Sequence, residues 1–99
     1  MAHRVVWSPR ALADVEAIAL FIAADSPSYA KAVVRRIIAL TRSLAQFPEQ
    51  GRKVPEFDDA SLRELQAYSY RIIYRVEEAQ VVVAAVVHGR RILHVWRTP

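Results

Sequence analysis

The sequence contains no cysteine, two glycines and two lysines, and each scarcity removes a class of function. Without cysteine there is no disulfide framework, no thiol nucleophile and no thiolate metal site, as expected of a protein kept in a reducing cytoplasm. Gly51 and Gly89 stand alone, so no glycine-rich loop is available to cradle a phosphate. His3, His88 and His94 bring no carboxylate to helical offset, so neither a metal site nor a cofactor is expected. The longest apolar runs, Ala17 to Ala24 and Val81 to Val87, fall far short of the ~18 residues of a membrane span. Strand-like sequence begins at His3, and no signal peptide is expected.

What is present is a chain of 99 residues, enough for one domain over residues 1–99 with one modest core. Hydrophobic residues make up 54%, a high share for so small a core, and part of that surface is expected to be covered by a partner. The net charge is +4; of fourteen basic residues only Lys31 and Lys53 are lysine, leaving twelve arginines. Arginine grips carboxylate or phosphate in a two-pronged contact, so an acidic partner, protein or nucleic acid, is expected.

Along the chain, the β-branched run His3 to Trp7 reads as a strand that stops at Ser8-Pro9, a helix-starting pair. Leu12, Val15, Ile18, Ala19 and Ile22 then recur at helical spacing. Ser26-Pro27 opens a second helix with Ala30, Val33, Val34, Ile37, Ile38, Leu44 and Phe47 as its apolar stripe. So short a break predicts an antiparallel helical hairpin. Pro48 to Ser61 reads as a loop of about fourteen residues, a length common in functional loops. Three strands follow, Leu62 to Ala67, Tyr70 to Val76 and Gln80 to His88, joined by tight turns. Alternation puts Tyr70, Ile72, Tyr74 and Val76 on one face of the middle strand and Arg71, Ile73 and Arg75 on the other. Val81 to Val87, apolar throughout, predicts a strand covered on both sides. Arg90 to Pro99 fits either an edge strand or a short helix.

No residue set matches a common enzyme site, and Ser8 before Pro9 is a helix cap rather than a nucleophile. The notable group is Arg63, Arg71, Arg75, Arg90 and Arg91, on or beside the sheet and expected to converge at one end of it. Such a cluster has two uses besides being a solvated face. It can stabilise a phosphorane in metal-independent RNA cleavage, where the 2'-hydroxyl attacks and a His, Tyr, Lys or Glu moves protons. It can equally pair with a partner's carboxylates.

Trp7-Ser8-Pro9 with Ala11 and Asp14, Phe47-Pro48 with Gly51-Arg52 and Val54-Pro55, Arg63-Glu64-Leu65, Tyr70 to Arg75, and Val87-His88-Gly89-Arg90-Arg91 together resemble the RelE/ParE toxin superfamily. The ordered set spans residues 7 to 91. The resemblance implies an α+β fold: an N-terminal strand and an antiparallel two-helix hairpin packed on a three- or four-stranded antiparallel sheet. It implies a toxin of a type II toxin-antitoxin system, neutralised by a cognate antitoxin whose C-terminal segment wraps it. RelE-like members are ribosome-dependent mRNA endonucleases, whereas ParE-like members lack the nuclease set and inhibit DNA gyrase. Arg71 and Arg91 match two transition-state arginines of the RelE-like pattern, with Glu64 and His88 as candidate proton carriers. The strand lysines of that pattern are missing from Leu62-Arg63-Glu64-Leu65, and its C-terminal tyrosine has no counterpart. The pieces look more like the ParE (plasmid stabilisation) branch, so gyrase inhibition is the expected activity. Antitoxin is expected near Phe21 and Ile22 and, through an acidic tail, at Arg63, Arg71, Arg75 and Arg90.

Overall fold

A serine before a proline opens both helices. After strand β1 (Arg4–Trp7), Ser8 is extended and its side chain accepts a hydrogen bond from the Ala11 N–H at 3.0 Å, with Pro9 in the first turn of α1 (Pro9–Ala23). Ser26 does the same through the Tyr29 N–H at 3.2 Å for α2 (Pro27–Ser43). The computed structural model describes residues 2–90, so Arg91 and the reading of the last segment lie outside the described residues.

The remaining strands are β2 (Arg52–Lys53), β3 (Leu62–Ala67), β4 (Tyr70–Val76) and β5 (Gln80–His88), in the spatial order β1-β5-β4-β3-β2. From β2 to β5 every pairing is antiparallel, while β1 runs parallel to β5, with Val5 beside Val81 and Trp7 beside Val83. The α+β architecture expected from the sequence is present. The structure adds β2, two residues inside the segment read as a loop and too short to show any periodicity. It also makes the sheet five-stranded and mixed.

Helix residues Ala11, Ile22, Ala30, Val33 and Ile37 pack on Ala67, Ile72, Val83 and Val86 of one sheet face. The other face is not open: Val54 and Phe57, from the segment after β2, cover Leu62, Ile73, Ala85 and Val87. This double cover explains the uninterrupted apolar run of β5. A bulge adds to it. Ile73 lies opposite Ala85 and Tyr74 opposite Val83, leaving Ala84 as an extra residue that inverts the parity of the strand. Ser8 Oγ donates to the Ala84 carbonyl at 2.9 Å and Asp14 Oδ2 accepts from the Val86 N–H at 2.9 Å. The first turns of α1 thus satisfy the edge of β5 beyond the end of β1.

The helical stripes differ from expectation at their margins. Ala11 is fully buried and Leu12 is 57% exposed, because Leu12 rims a groove rather than meeting the sheet. Ile38 and Phe47 are exposed as well. Among the described residues no helix is long and apolar enough to cross a membrane.

Candidate functional site

On β3 and β4, side chains two apart share a face, so Glu64 and Arg71 both project from the face away from the helices. Gln66 is the direct neighbour of Arg71, which puts Glu64 diagonally across from it and within reach of its long side chain. Arg71 Nε donates to Glu64 Oε1 at 2.8 Å, and Nη2 donates to the same oxygen. The two terminal nitrogens also grip Glu56, with Nη1 to Oε2 and Nη2 to Oε1 both at 2.7 Å. Glu64 Oε2 is held in turn by Arg52, from Nε at 2.6 Å. The result is an alternating chain, Arg52, Glu64, Arg71, Glu56, whose two middle members are buried while Arg52 stays exposed. Arg71 is only 7% exposed and Glu64 6%. The hydrogen bonds that Arg71 donates to Glu56 lead the causes that hold its guanidinium above the ordinary pKa.

Arg75, on the same face, donates from Nη1 to Ser61 Oγ at 2.9 Å and pairs with Asp59 Oδ2 at 3.3 Å, and it stays half-exposed. The Asp59 carboxyl is held below its usual range, first by the Ser61 hydroxyl and backbone, with help from Arg75. Arg63 is one residue out of step and projects to the helix side, where Nη1 donates to the Gly51 carbonyl at 2.9 Å. The Gly51 N–H donates to the buried Tyr74 hydroxyl at 2.9 Å, and burial pushes that phenol up. A Cβ at Gly51 would lie 2.4 Å from the Glu64 carbonyl oxygen, so only glycine fits where the chain enters β2 beside β3.

The expected convergence of arginines is therefore corrected. Arg71 and Arg75 share a face but are engaged by internal carboxylates, Arg63 belongs to the opposite face, and Arg90 is exposed in the turn after β5. His88 is exposed and edge-on to Tyr70 at 5.8 Å between ring centres, on the side of β4 away from Glu64 and Arg71. Of the nuclease candidates, Glu64 and Arg71 are brought into direct contact, and His88 lies on the other face of the sheet. On α1, Phe21 is 76% exposed, but Ile22 is buried in the core and offers nothing to a partner, because neighbouring helix residues point about 100° apart. A groove of about 610 Å³ opens between the helices and β1, rimmed by Trp7, Leu12, Val15, Val34 and Ile38.

Glu56 and Arg52 escaped the sequence reading. Their signal was weak: a carboxylate in a loop reads as solvated until the loop is known to lie across a strand face carrying Arg71. Among the described residues no group of three or more His, Cys, Asp or Glu is placed to hold a metal ion.

The sequence matches the family described as "ParE toxin of type II toxin-antitoxin system, parDE" over residues 5–93. A protein of Caulobacter vibrioides named Toxin RelE2 is 38% identical over 90 residues, covering 90% of this chain and 98% of the relative. Among solved structures, a chain of the chromosomal ParDE TA system from P. aeruginosa superposes with a TM-score of 0.71 at 21% identity, covering 88% of this chain and 96% of that one. The YoeB dimer from Staphylococcus aureus gives 0.64 at 15% identity, covering 89% and 98%. The toxin-antitoxin complex RelBE2 from Mycobacterium tuberculosis gives 0.63 at 18%, covering 89% and 99%.

Proposed function

The chain belongs to the ParE toxin family of type II toxin-antitoxin systems, and from that membership we propose that it acts in the cytoplasm by binding and inhibiting DNA gyrase, without chemistry of its own. The observation that carries this reading is the state of Arg71. Stabilising a phosphorane requires a guanidinium that meets the reacting phosphate. Here both prongs of Arg71 are held by Glu56 and Glu64 beneath a covering segment, and a phosphate would have to displace a carboxylate to reach it. The strand beside it, Leu62 to Ala67, carries no lysine to replace it. Purified gyrase should lose supercoiling activity when the toxin, freed of its antitoxin, is added in stoichiometric excess. Undiminished supercoiling would remove this reading.

The second reading is a ribosome-dependent mRNA endonuclease, and what favours it is the name RelE2 borne by a relative 38% identical. It predicts mRNA cut in the ribosomal A site of a translating extract, with cleavage strongly reduced by Arg71→Ala and Arg91→Ala. Intact mRNA under those conditions would exclude it.

The neutralising partner is a cognate antitoxin. Its amphipathic helix has two apolar seats to choose from, the groove beside Leu12 and Ile38 and, on the opposite side of α1 from Leu12, the exposed Phe21, and its acidic tail fits the half-exposed Arg75 and the exposed Arg90.

A further inference from the structure

On the helix side of the sheet, opposite the face that carries Arg71, aromatic rings line up at the β3–β4 turn. Tyr68 occupies that turn with φ of 55°, the one positive-φ residue that is not glycine among the described residues. Glycine or asparagine adopts this backbone readily, and a bulky side chain strains it, so the phenol ring is placed there against the local preference. Tyr68 meets Tyr29 of α2 edge-on at 5.5 Å between ring centres, and the two rings are still 49% and 44% exposed. Two residues on, Tyr70 meets His88 in the same edge-on manner at 5.8 Å. The Gly89 N–H donates to the Ser69 carbonyl at 2.7 Å and fixes the end of β5 against the turn.

Cations stand at both ends of this strip. Arg90 is exposed just beyond His88. Arg36, also exposed, lies on the same side of α2 as Tyr29, two turns along and about 10 Å away. No Asp or Glu occurs between Ser26 and Pro48, between Leu65 and Val76, or after Ala79, so the elements that build the strip carry no carboxylate. An edge-on pair spends one face of one ring and leaves the other ring faces available for stacking.

We propose that this strip, Tyr29, Tyr68, Tyr70 and His88 between Arg36 and Arg90, binds single-stranded nucleic acid, with bases stacked on the exposed tyrosines and phosphates held by the two arginines. The proposal goes beyond the target assignment and does not depend on whether gyrase or the ribosome is the target.

The test is fluorescence anisotropy of a labelled single strand of about twelve nucleotides, made as DNA and as RNA, titrated with the full chain freed of antitoxin. Binding is expected, weakening as salt rises. Tyr68→Gly suits the φ of 55° and removes only the ring; it should weaken binding about ten-fold or more, and Tyr68→Phe should keep it. Tyr29→Ala removes the partner ring without touching the turn and should weaken binding similarly. Absence of binding to either strand overturns the proposal. So does undiminished binding by Tyr68→Gly and Tyr29→Ala, which would mark ordinary attraction to a basic protein. Tyr68-dependent binding of a glutamate-rich peptide in place of the oligonucleotide would assign the strip to an acidic protein and overturn it as well.

Discussion

Glu64 sits between two arginines, its Oε1 accepting from Arg71 and its Oε2 from Arg52. It joins the two arginines, whereas Glu56 grips Arg71 from the covering segment. Removing Glu64 takes one carboxylate from the buried Arg71 and breaks the link to Arg52. Glu64→Ala should therefore cost roughly 3–5 kcal/mol, as when a buried pair loses one member. Glu56→Ala leaves Arg71 still paired with Glu64 and should cost less, about 1.5–3 kcal/mol for lost hydrogen bonds to a charged group. Urea unfolding of both variants tests the ranking. Equal losses would mean that the two carboxylates contribute alike.

The pairing of β2 with β3 depends on Gly51. An alanine methyl there would lie 2.4 Å from the Glu64 carbonyl oxygen and 2.7 Å from the Tyr74 hydroxyl. Gly51→Ala must push β2 away and break the hydrogen bond to Tyr74, so a loss of about 1–3 kcal/mol is expected from overpacking. Tyr74→Phe removes only the acceptor for the Gly51 N–H and should cost about 1–3 kcal/mol for the buried donor left behind. The two losses should not add, because both variants break the same contact. A double-mutant cycle in denaturant reads this directly, and full additivity would contradict it.

Two groups give the stability a dependence on pH at opposite ends of the scale. Asp59 has its folded pKa lowered from 3.8 by the Ser61 hydrogen bonds, so its contribution is present above that value and lost as pH falls below it. Tyr74 has its folded pKa raised from 10.0 by burial, so the folded state keeps its proton longer than the unfolded chain. Stability therefore declines as pH rises beyond 10.0. Asp59→Asn should flatten the acid limb and leave the alkaline one, and Tyr74→Phe should do the reverse. Denaturation midpoints measured across the pH range distinguish the two limbs.

The parts of the fold readable in the sequence were those with a local cause. Ser8-Pro9 and Ser26-Pro27 mark helix starts because cap and first-turn geometry involve only near neighbours. The alternation of Tyr70 to Val76 assigned each side chain to its face, and Arg71 and Arg75 do share one. What was unreadable depended on distant chain. Nothing around Glu56 says that its loop folds back over β4. The bulge at Ala84 is hidden in a run of valines and alanines that look alike on either face. Arg63 resembles Arg71 in type, but strand pairing sets it opposite Tyr74 and beside Gly51, on the other face. Candidate residues were thus found by type, while their pairing, which decides whether an arginine is available to a ligand, came only with the tertiary structure.

Arg75 separates a role in the fold from a role in binding. Its guanidinium is half-exposed and its partners Asp59 and Ser61 lie in the covering segment at the surface. An exposed pair of this kind stabilises a protein by no more than about 1 kcal/mol. Arg75→Glu should hardly shift the unfolding midpoint. If an acidic antitoxin tail lies on this face, the same change should weaken the complex and make its affinity less sensitive to salt. Titration calorimetry at two ionic strengths provides the measurement. An unaltered affinity and salt dependence would place the tail elsewhere.

Phe21 and Ile22 are adjacent in α1 and should respond in opposite ways to the same substitution. Phe21 is 76% exposed, so a charge there costs the folded chain almost nothing. Ile22 is 8% exposed and packs in the main core with Val33 and Ile72, where an unpaired carboxylate cannot be hydrated. Ile22→Glu should abolish cooperative unfolding or prevent folding, and toxicity should vanish with the fold. Phe21→Glu should leave the circular dichroism spectrum and melting temperature of the toxin unchanged. If the antitoxin helix covers this end of α1, Phe21→Glu should raise the dissociation constant of the complex ten-fold or more, the usual effect of losing a large aromatic anchor. Cells would then survive wild-type toxin with its antitoxin but not the Phe21→Glu toxin with the same antitoxin. Survival of both strains, with undiminished affinity in vitro, would show that the antitoxin leaves Phe21 uncovered and that the groove beside Leu12 and Ile38 must hold it alone.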